Sequence, residues 1–266
     1  MDLKEREKSL LRTVIREYIK EAQPIGSNFL AGKFNLGLSS ATIRAELQKL
    51  TEEGYLLQPH TSAGRVPTDK GYRFFINELM DPCSLANKEA GLIKNFLEES
   101  RSELDNDIPY FNRGLIKIMS EISDDLVIAA TPEDDGFSYE GVLKLFQKPE
   151  FQEIDRVRGM FKMIENFKSH FEDFFDEESD FSKEIPRVFV GKENPFYEGD
   201  DYSIIISRCD FSLSLSERMN DKKDGRKGSK GKRKKSDVLA IFGPKRMEYN
   251  KNISLLDFIS KIDHEF

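Results

Sequence analysis

Apolar positions near the start of the chain fall on helical spacing in separate runs, each fenced by residues that stop a helix. Leu10, Leu11, Val14, Ile15, Tyr18 and Ile19 recur at intervals of three and four until Gln23, Pro24 and Gly26 break the pattern; Asp2 and Glu5 form a capping-box pair at its start. Ser27 then stands at the cap of a short helix, NFLAGKF, which Asn35, Leu36 and Gly37 end. Ser39 or Ser40 caps a third helix, whose Ile43, Leu47 and Leu50 line one stripe and which Gly54 ends in a left-handed turn. Tyr55, Leu56, Leu57 and Gln58 suit a strand, and residues 59–67 carry too many polar and breaker residues for a helix. Thr68 or Asp69 caps a last helix, GYRFFINELM, with Tyr72, Phe75, Ile76 and Leu79 on its apolar side. Helix, turn, short helix, turn, capped helix and strand-loop predict a winged helix-turn-helix domain over residues 1–80.

Beyond it the pattern changes. Asp81, Pro82 and Cys83 mark a boundary, and residues 81–266 are expected to form a second, α+β domain. Leu92, Ile93, Phe96 and Leu97 sit on one helical stripe, and Leu115, Ile116, Ile118, Met119 and Ile122 on another. Short β-like runs follow at LVIAA, YEGVLKLF, RVFVG, YSIIIS and VLAIFG, with a helical segment between Pro149 and Phe175, so helices should flank five or six strands. Phe161, Ile164, Phe167, Phe171 and Phe174 or Phe175 recur at helical spacing and read as a buried face in preference to a dimer surface. Asp173, Asp176, Glu177, Glu178 and Asp180 lack the ordered spacing of a calcium loop and read as a solvated acidic turn. GPKRM at 243–247 reads as a turn fixed by Pro244, with Lys245 and Arg246 exposed.

Charge sharpens the division. The chain has a formal net charge of −7, yet residues 1–80 hold 12 Lys plus Arg against 10 Asp plus Glu, so the acid lies outside the first domain. A mildly basic domain suits a reader that relies on a few placed donors rather than on strong unspecific attraction. Residues 222–235, KKDGRKGSKGKRKK, are the exception, with nine basic residues and no apolar one; 220–236 is expected to be a disordered loop, a solvated linker or a contact to nucleic-acid phosphate. Cys83 and Cys209 have neither the number nor the spacing for a disulfide framework or a zinc site. No apolar run approaches the roughly 18 residues needed to cross a bilayer, so no membrane association is expected and the cytoplasm is the expected location. The motifs of phosphate-binding loops, zinc proteases and serine hydrolases are absent from the sequence, and neither an enzyme, a cofactor nor a metal is implied.

On the third helix, Ala41, Ala45 and Gln48 point away from the apolar stripe, with Thr42, Arg44 and Lys49 at the flanks. Small side chains let a helix approach the floor of a major groove about 12 Å wide, and donors reach base edges from there. Thr42, Arg44 and Gln48 are therefore the candidates for base-edge contacts to double-stranded DNA, while Ser39, Ser40, His60, Thr61, Ser62 and Arg65 are candidates for the phosphate backbone. His60 has no Cys, Asp or Glu at ligand spacing and reads as a loop donor, not a metal ligand. Two other readings stay open: a ligand-sensing regulator whose α+β domain moves the reader, and an interaction or RNA-associated module using the winged helix as a scaffold.

The residues SSATIR, then GYLLQPHTSAGRVPTDKGYRFF, resemble the N-terminal domain of the HrcA family of heat-inducible transcription repressors across residues 1–80. GKENP at 191–195 and IFGPKRMEYNKNISLLDFISK at 241–261 are similar to that family's closing segment. The resemblance implies a homodimer that binds an inverted repeat called CIRCE, prevents transcription of heat-shock chaperone operons, and has its DNA binding supported by a GroEL-type chaperonin. It also implies the fold: α+β, an N-terminal winged helix-turn-helix followed by a GAF-like domain. The chain is shorter than typical members between the two islands, so the family's dimerisation insert is expected to be reduced. Members usually carry Asn where this chain has Ala45, which cannot make a bidentate contact to adenine.

Overall fold

The computed structural model describes residues 3–34, 37–81, 83–103, 108–131, 136–177, 186–209 and 237–262. Helix α1, Glu5–Glu21, turns Leu10, Leu11, Val14, Ile15 and Ile19 inward. Its first turn is closed by Glu7, whose carboxylate accepts from the Lys4 backbone N–H at 2.8 Å. The cap thus falls two residues later than the expected Asp2 and Glu5 pair, because Glu5 is already helical. Helix α2, Ser27–Lys33, buries Leu30; Gly26 is its cap and Ser27 its first residue. Helix α3, Ser40–Glu52, buries Ile43, Leu47 and Leu50, and Gly54 at φ +78° lets the chain turn out of it into strand β1. Strands β1, Leu56–Leu57, and β2, Val66–Pro67, pair antiparallel as a two-stranded hairpin. Thr68 caps helix α4, Asp69–Phe74, by accepting from Gly71 N–H, and the helix runs on through a wider turn, Phe75–Leu79, closed by Met80 N–H on Phe75 C=O at 2.8 Å.

The remaining elements are α5, Asn87–Glu103; α6, Ile108–Ser123; β3, Leu126–Thr131; β4, Gly136–Glu140; α7, Val142–Phe146; α8, Ile154–Glu177; β5, Arg187–Val190; β6, Tyr202–Cys209; β7, Asp237–Pro244; and α9, Tyr249–Ile262. Five strands form one antiparallel sheet in the order β4-β3-β7-β6-β5. Alternate residues serve opposite faces. Leu126, Ile128, Ile204, Ile206, Ala240 and Phe242 pack on Met160, Met163, Phe167 and Phe171 of α8, whereas Val127, Ala129, Ile205, Leu239 and Ile241 face α6 and α9. Burial on both faces explains why these strands read as continuous apolar runs rather than as alternating ones.

Four of the five expected strand runs match β3, β5, β6 and β7. The fifth, YEGVLKLF, divides instead: the strand is Gly136–Glu140 and VLKLF is helix α7. Gly141 stands between them at φ +102°, where a β-carbon would lie 2.4 Å from Asp125 C=O, so the chain turns there at a position only glycine fills without strain. Within α7, Leu145 is buried and Leu143 is 75% exposed, which no single strand face required. On α8 the buried stripe holds Ile164, Phe167 and Phe171 as expected, but Met160 and Met163 complete it and Phe161 faces out. The basic stretch 222–235 lies outside the described residues, as do Glu178 and Asp180, whereas Asp173, Asp176 and Glu177 of the expected acidic turn belong to the end of helix α8. Among the described residues, no helix is long and apolar enough to cross a membrane, and no group of His, Cys, Asp and Glu is placed to hold a metal ion.

The hydrophobic core on the α6 and α9 face continues without a break into the core of α1, α3 and α4. Lys245 and Arg246, expected in solvent, lie at this junction. Lys245 Nζ donates to Asp69 Oδ1 at 2.8 Å, and Arg246 forms a two-pronged pair with Glu150 while its Nη1 donates to Ile19 C=O at 3.1 Å. The turn at Pro244 was legible, but its partners lie far away in sequence.

A buried carboxylate ties the sheet to its helices. Asp125 is 1% exposed; its Oδ1 accepts from Lys148 Nζ at 2.5 Å and its Oδ2 from Asn252 Nδ2 at 3.0 Å. Burial pushes its carboxyl above the usual value, with Lys148 and Asn252 pulling the other way. Lys148→Met leaves a buried acid without its cation, and the expected loss at neutral pH is about 3 to 5 kcal/mol. A raised folded-state value means the folded chain holds the proton more tightly, so the group's contribution is present at low pH and is lost as pH rises through that value. The Lys148→Met deficit should therefore shrink on acidification, measured by urea unfolding across pH; a deficit constant with pH would contradict the assignment.

Candidate nucleic-acid interface

The outer face of α3 is small at two positions and polar at the rest: Ala41, Arg44, Ala45, Gln48 and Glu52 are exposed. Ser39 holds the start of the helix, its Oγ accepting from Thr42 N–H at 3.1 Å and sharing a hydrogen bond with Thr42 Oγ1 at 2.9 Å. Ser40 Oγ donates to Asn28 Oδ1 at 2.5 Å and so fastens α3 to the start of α2. Ser39 and Thr42 thus stand at the N-terminal end of the face, with Ser40 set back against α2. Arg44 has no hydrogen-bond or ion-pair partner among the described residues. Lys49 turns the other way, to Glu7 on α1, and Arg6 of α1 meets Glu46, so these two cations tie α3 to α1.

Three candidates sit at the tip of the hairpin. His60, Thr61 and Ser62 are exposed, and His60 Nδ1 lies 3.1 Å from Ser62 Oγ. Ala63 N–H closes a turn onto His60 C=O at 2.9 Å. Gln58, which the sequence marked only as a strand residue, organises this loop: its Nε2 donates to Thr61 C=O at 2.9 Å and to Ala63 C=O at 3.0 Å. A side-chain amide at a strand end, followed by a loop with spare carbonyls, is the one sequence signal for that role.

Arg65 is placed differently from the expectation of an extended phosphate contact. It is 7% exposed, its Nε donates to Thr51 Oγ1 at 2.9 Å, and its Nη2 donates to Gln48 Oε1 at 3.0 Å. Its backbone pairs with Ile25, through bonds of 2.8 and 2.9 Å. Burial, and after it the neighbouring Arg44 guanidinium, holds its proton affinity below the ordinary value. Arg44, Gln48 and Arg65 are therefore brought together where α3 meets the base of the hairpin. Gly64 permits that approach, since a β-carbon there would lie 2.4 Å from Ile25 C and 2.6 Å from Pro24 O.

The family profile described as HrcA protein C terminal domain matches residues 72–253, more than half of the chain. The heat-inducible transcription repressor HrcA of Acetivibrio thermocellus is 45% identical over 133 residues, 50% of this chain and 37% of that protein. Its namesake from Thermoanaerobacter pseudethanolicus is 27% identical over 355 residues, 98% of this chain and 96% of the other. The chain thus spans between 26% and 40% of the relatives matched at higher identity, and nearly all of one matched at lower identity. A solved structure described as a hypothetical protein at 2.2 Å resolution superposes with a TM-score of 0.64 at 16% identity, covering 99% of this chain and 98% of that one, a likeness of fold.

The tight contact at Gly64 carries its own test. Gly64→Ala should cost about 1 to 3 kcal/mol through overpacking against the turn before α2. Amide exchange at Ile25 and Arg65 should accelerate with it. Unchanged stability and exchange would show that the hairpin base is not clamped.

Proposed function

The chain belongs to the HrcA family, and from that membership we propose that it is a repressor of heat-inducible, chaperone-encoding genes, acting by binding operator DNA. Residues 1–80 serve in this reading as a winged helix-turn-helix, with α3 as recognition helix and the β1–β2 hairpin as wing. Residues 81–266 serve as a GAF-like α+β regulatory and dimerisation domain. The observation that carries the reading is the outer face of α3, where Ala41 and Ala45 leave room for a groove floor and Arg44 stands free beside Gln48.

As a homodimer the protein would set two such helices in successive major grooves, about 34 Å apart, over an inverted repeat of the CIRCE type, and occupancy would exclude transcription. Thr42, Arg44 and Gln48 are proposed for base edges. Ser39, Ser40, His60, Thr61 and Ser62 are proposed for the backbone, which they approach from the helix start and the wing tip. Arg65 supports the same surface from below. The alignment of 355 positions against a chain of 266 residues supports a shortened dimerisation insert. A GroEL-type chaperonin is the proposed partner in maintaining the active fold, and the cytoplasm is the proposed location.

Footprinting on the DNA upstream of chaperone genes tests the reading directly; protection of an inverted repeat is expected. Arg44→Ala should weaken binding to the protected duplex by about 1 to 3 kcal/mol in a gel-shift titration. Full affinity in that variant would remove Arg44 from the contact set.

A further inference from the structure

Gln48 is gripped at both ends of its amide. Arg65 donates to its Oε1 at 3.0 Å, and its Nε2 donates to Glu52 Oε1 at 3.1 Å. A guanidinium has only donors and a carboxylate only acceptors, so each partner independently fixes which end of the amide is oxygen, and the two agree. The guanidinium is itself anchored. Its Nε meets Thr51 Oγ1 at 2.9 Å, Thr51 passes its own proton to Leu47 C=O at 2.8 Å, and the Arg65 backbone is bonded to Ile25. Since each partner uses one amide site, one Nε2 hydrogen and one Oε1 lone pair of Gln48 remain for a base edge.

We propose that Arg65 is a positioning residue that sets the orientation of Gln48, and that base discrimination at the pair Gln48 faces depends on this link between the wing base and the recognition helix. The inference rests on the DNA-binding reading above. A phosphate contact and a positioning residue leave different traces. Losing a phosphate contact weakens every duplex alike and lowers the salt slope by about one. Losing a positioning residue flattens discrimination at one base pair and leaves unrelated DNA untouched. Lysine separates the two, because it keeps the charge for a phosphate but not the planar fork that reaches Thr51 and Gln48 together.

The test uses the full chain. A preferred duplex is first selected from randomised DNA with the wild-type protein; binding is then titrated on that duplex, on its single-base-pair variants and on unrelated DNA, over a salt series. Gln48→Ala should reduce discrimination at one base pair of each half-site by about tenfold. Arg65→Lys should lose the same discrimination, with an unchanged salt slope, and the double variant should lose no more than either single one. Thr51→Val removes the other acceptor without altering charge and should shift the same base pair in the same direction. It also guards against a folding defect in Arg65→Lys, which would weaken all duplexes together. A wild-type base profile in both Arg65→Lys and Thr51→Val overturns the proposal, as does a uniform loss with a lower salt slope in Arg65→Met. Failure of the wild-type protein to select any duplex overturns the DNA-binding reading, and this proposal with it.

Discussion

Helix α4 lies where the N-terminal helices and one face of the sheet share a single hydrophobic core, and the relation of the N-terminal unit to the sheet follows from that sharing. Tyr72 on α4 is 1% exposed and packs with its ring 5.7 Å from that of Tyr249 on α9, while Phe75 and Leu79 in the continuation of the helix are buried in the same cluster. Charges surround this contact: Asp69 meets Lys245, Arg73 meets Glu193 and the Val188 carbonyl, and Arg246 reaches back to Ile19. The pairs of Asp69 and Arg73 keep part of their side chains in water, so each contributes about 0 to 1 kcal/mol. A buried large apolar side chain contributes about 1.5 to 3 kcal/mol. Apolar packing therefore supplies most of the attachment, and the charges fix its register. Because α1 and α3 pack in the same cluster, the outer face of α3 inherits a fixed direction from the junction.

Local pattern was enough for the pieces and insufficient for the junction. The stripes Leu10, Leu11, Val14, Ile15 and Ile43, Leu47, Leu50 are buried where the spacing placed them, and Ser39, Gly54 and Thr68 stop and start elements as their chemistry requires. The doubly buried strands were legible as apolar runs. VLKLF was not, because a short apolar run fits a strand and a buried helix turn equally, and the deciding feature was the backbone at Gly141. Lys245 and Arg246 look like solvent residues in any local window. Their partners Asp69, Glu150 and Ile19 stand about 95 to 230 positions away, and only the fold brings them together.

The same limit applied to the interface. Residue types announced donors on α3 and on the hairpin, but not which donors the protein consumes itself. Arg65 carries a charge in a loop rich in polar residues, and its burial depends on Gly64 admitting the chain against Ile25. Gln58 looked like a strand end and is the brace of the tip loop. A polar residue inside a candidate contact surface thus divides into those that face outward and those that hold the outward ones, and burial separates the two.

That division bears on how such a surface discriminates between duplexes. Lys33 is paired to Glu17 and Glu21, Lys49 to Glu7, and Arg6 to Glu46, so most cations around α2 and α3 are already neutralised. Carboxylate hydrogen bonds raise the proton affinity of Lys33 and Lys49, so these ammonium groups are held by the protein. Residues 1–80 as a whole carry 12 cationic against 10 acidic side chains. A surface of this kind exerts little sequence-independent pull on phosphate, because each contact released from an internal pair must first be broken. In a duplex-binding protein, weak unspecific attraction leaves the margin to the few oriented groups on α3, and orientation then matters more than charge. An amide on a free side chain would lose much of its selectivity to rotation; one held by a buried guanidinium and a carboxylate presents the same edge in every encounter.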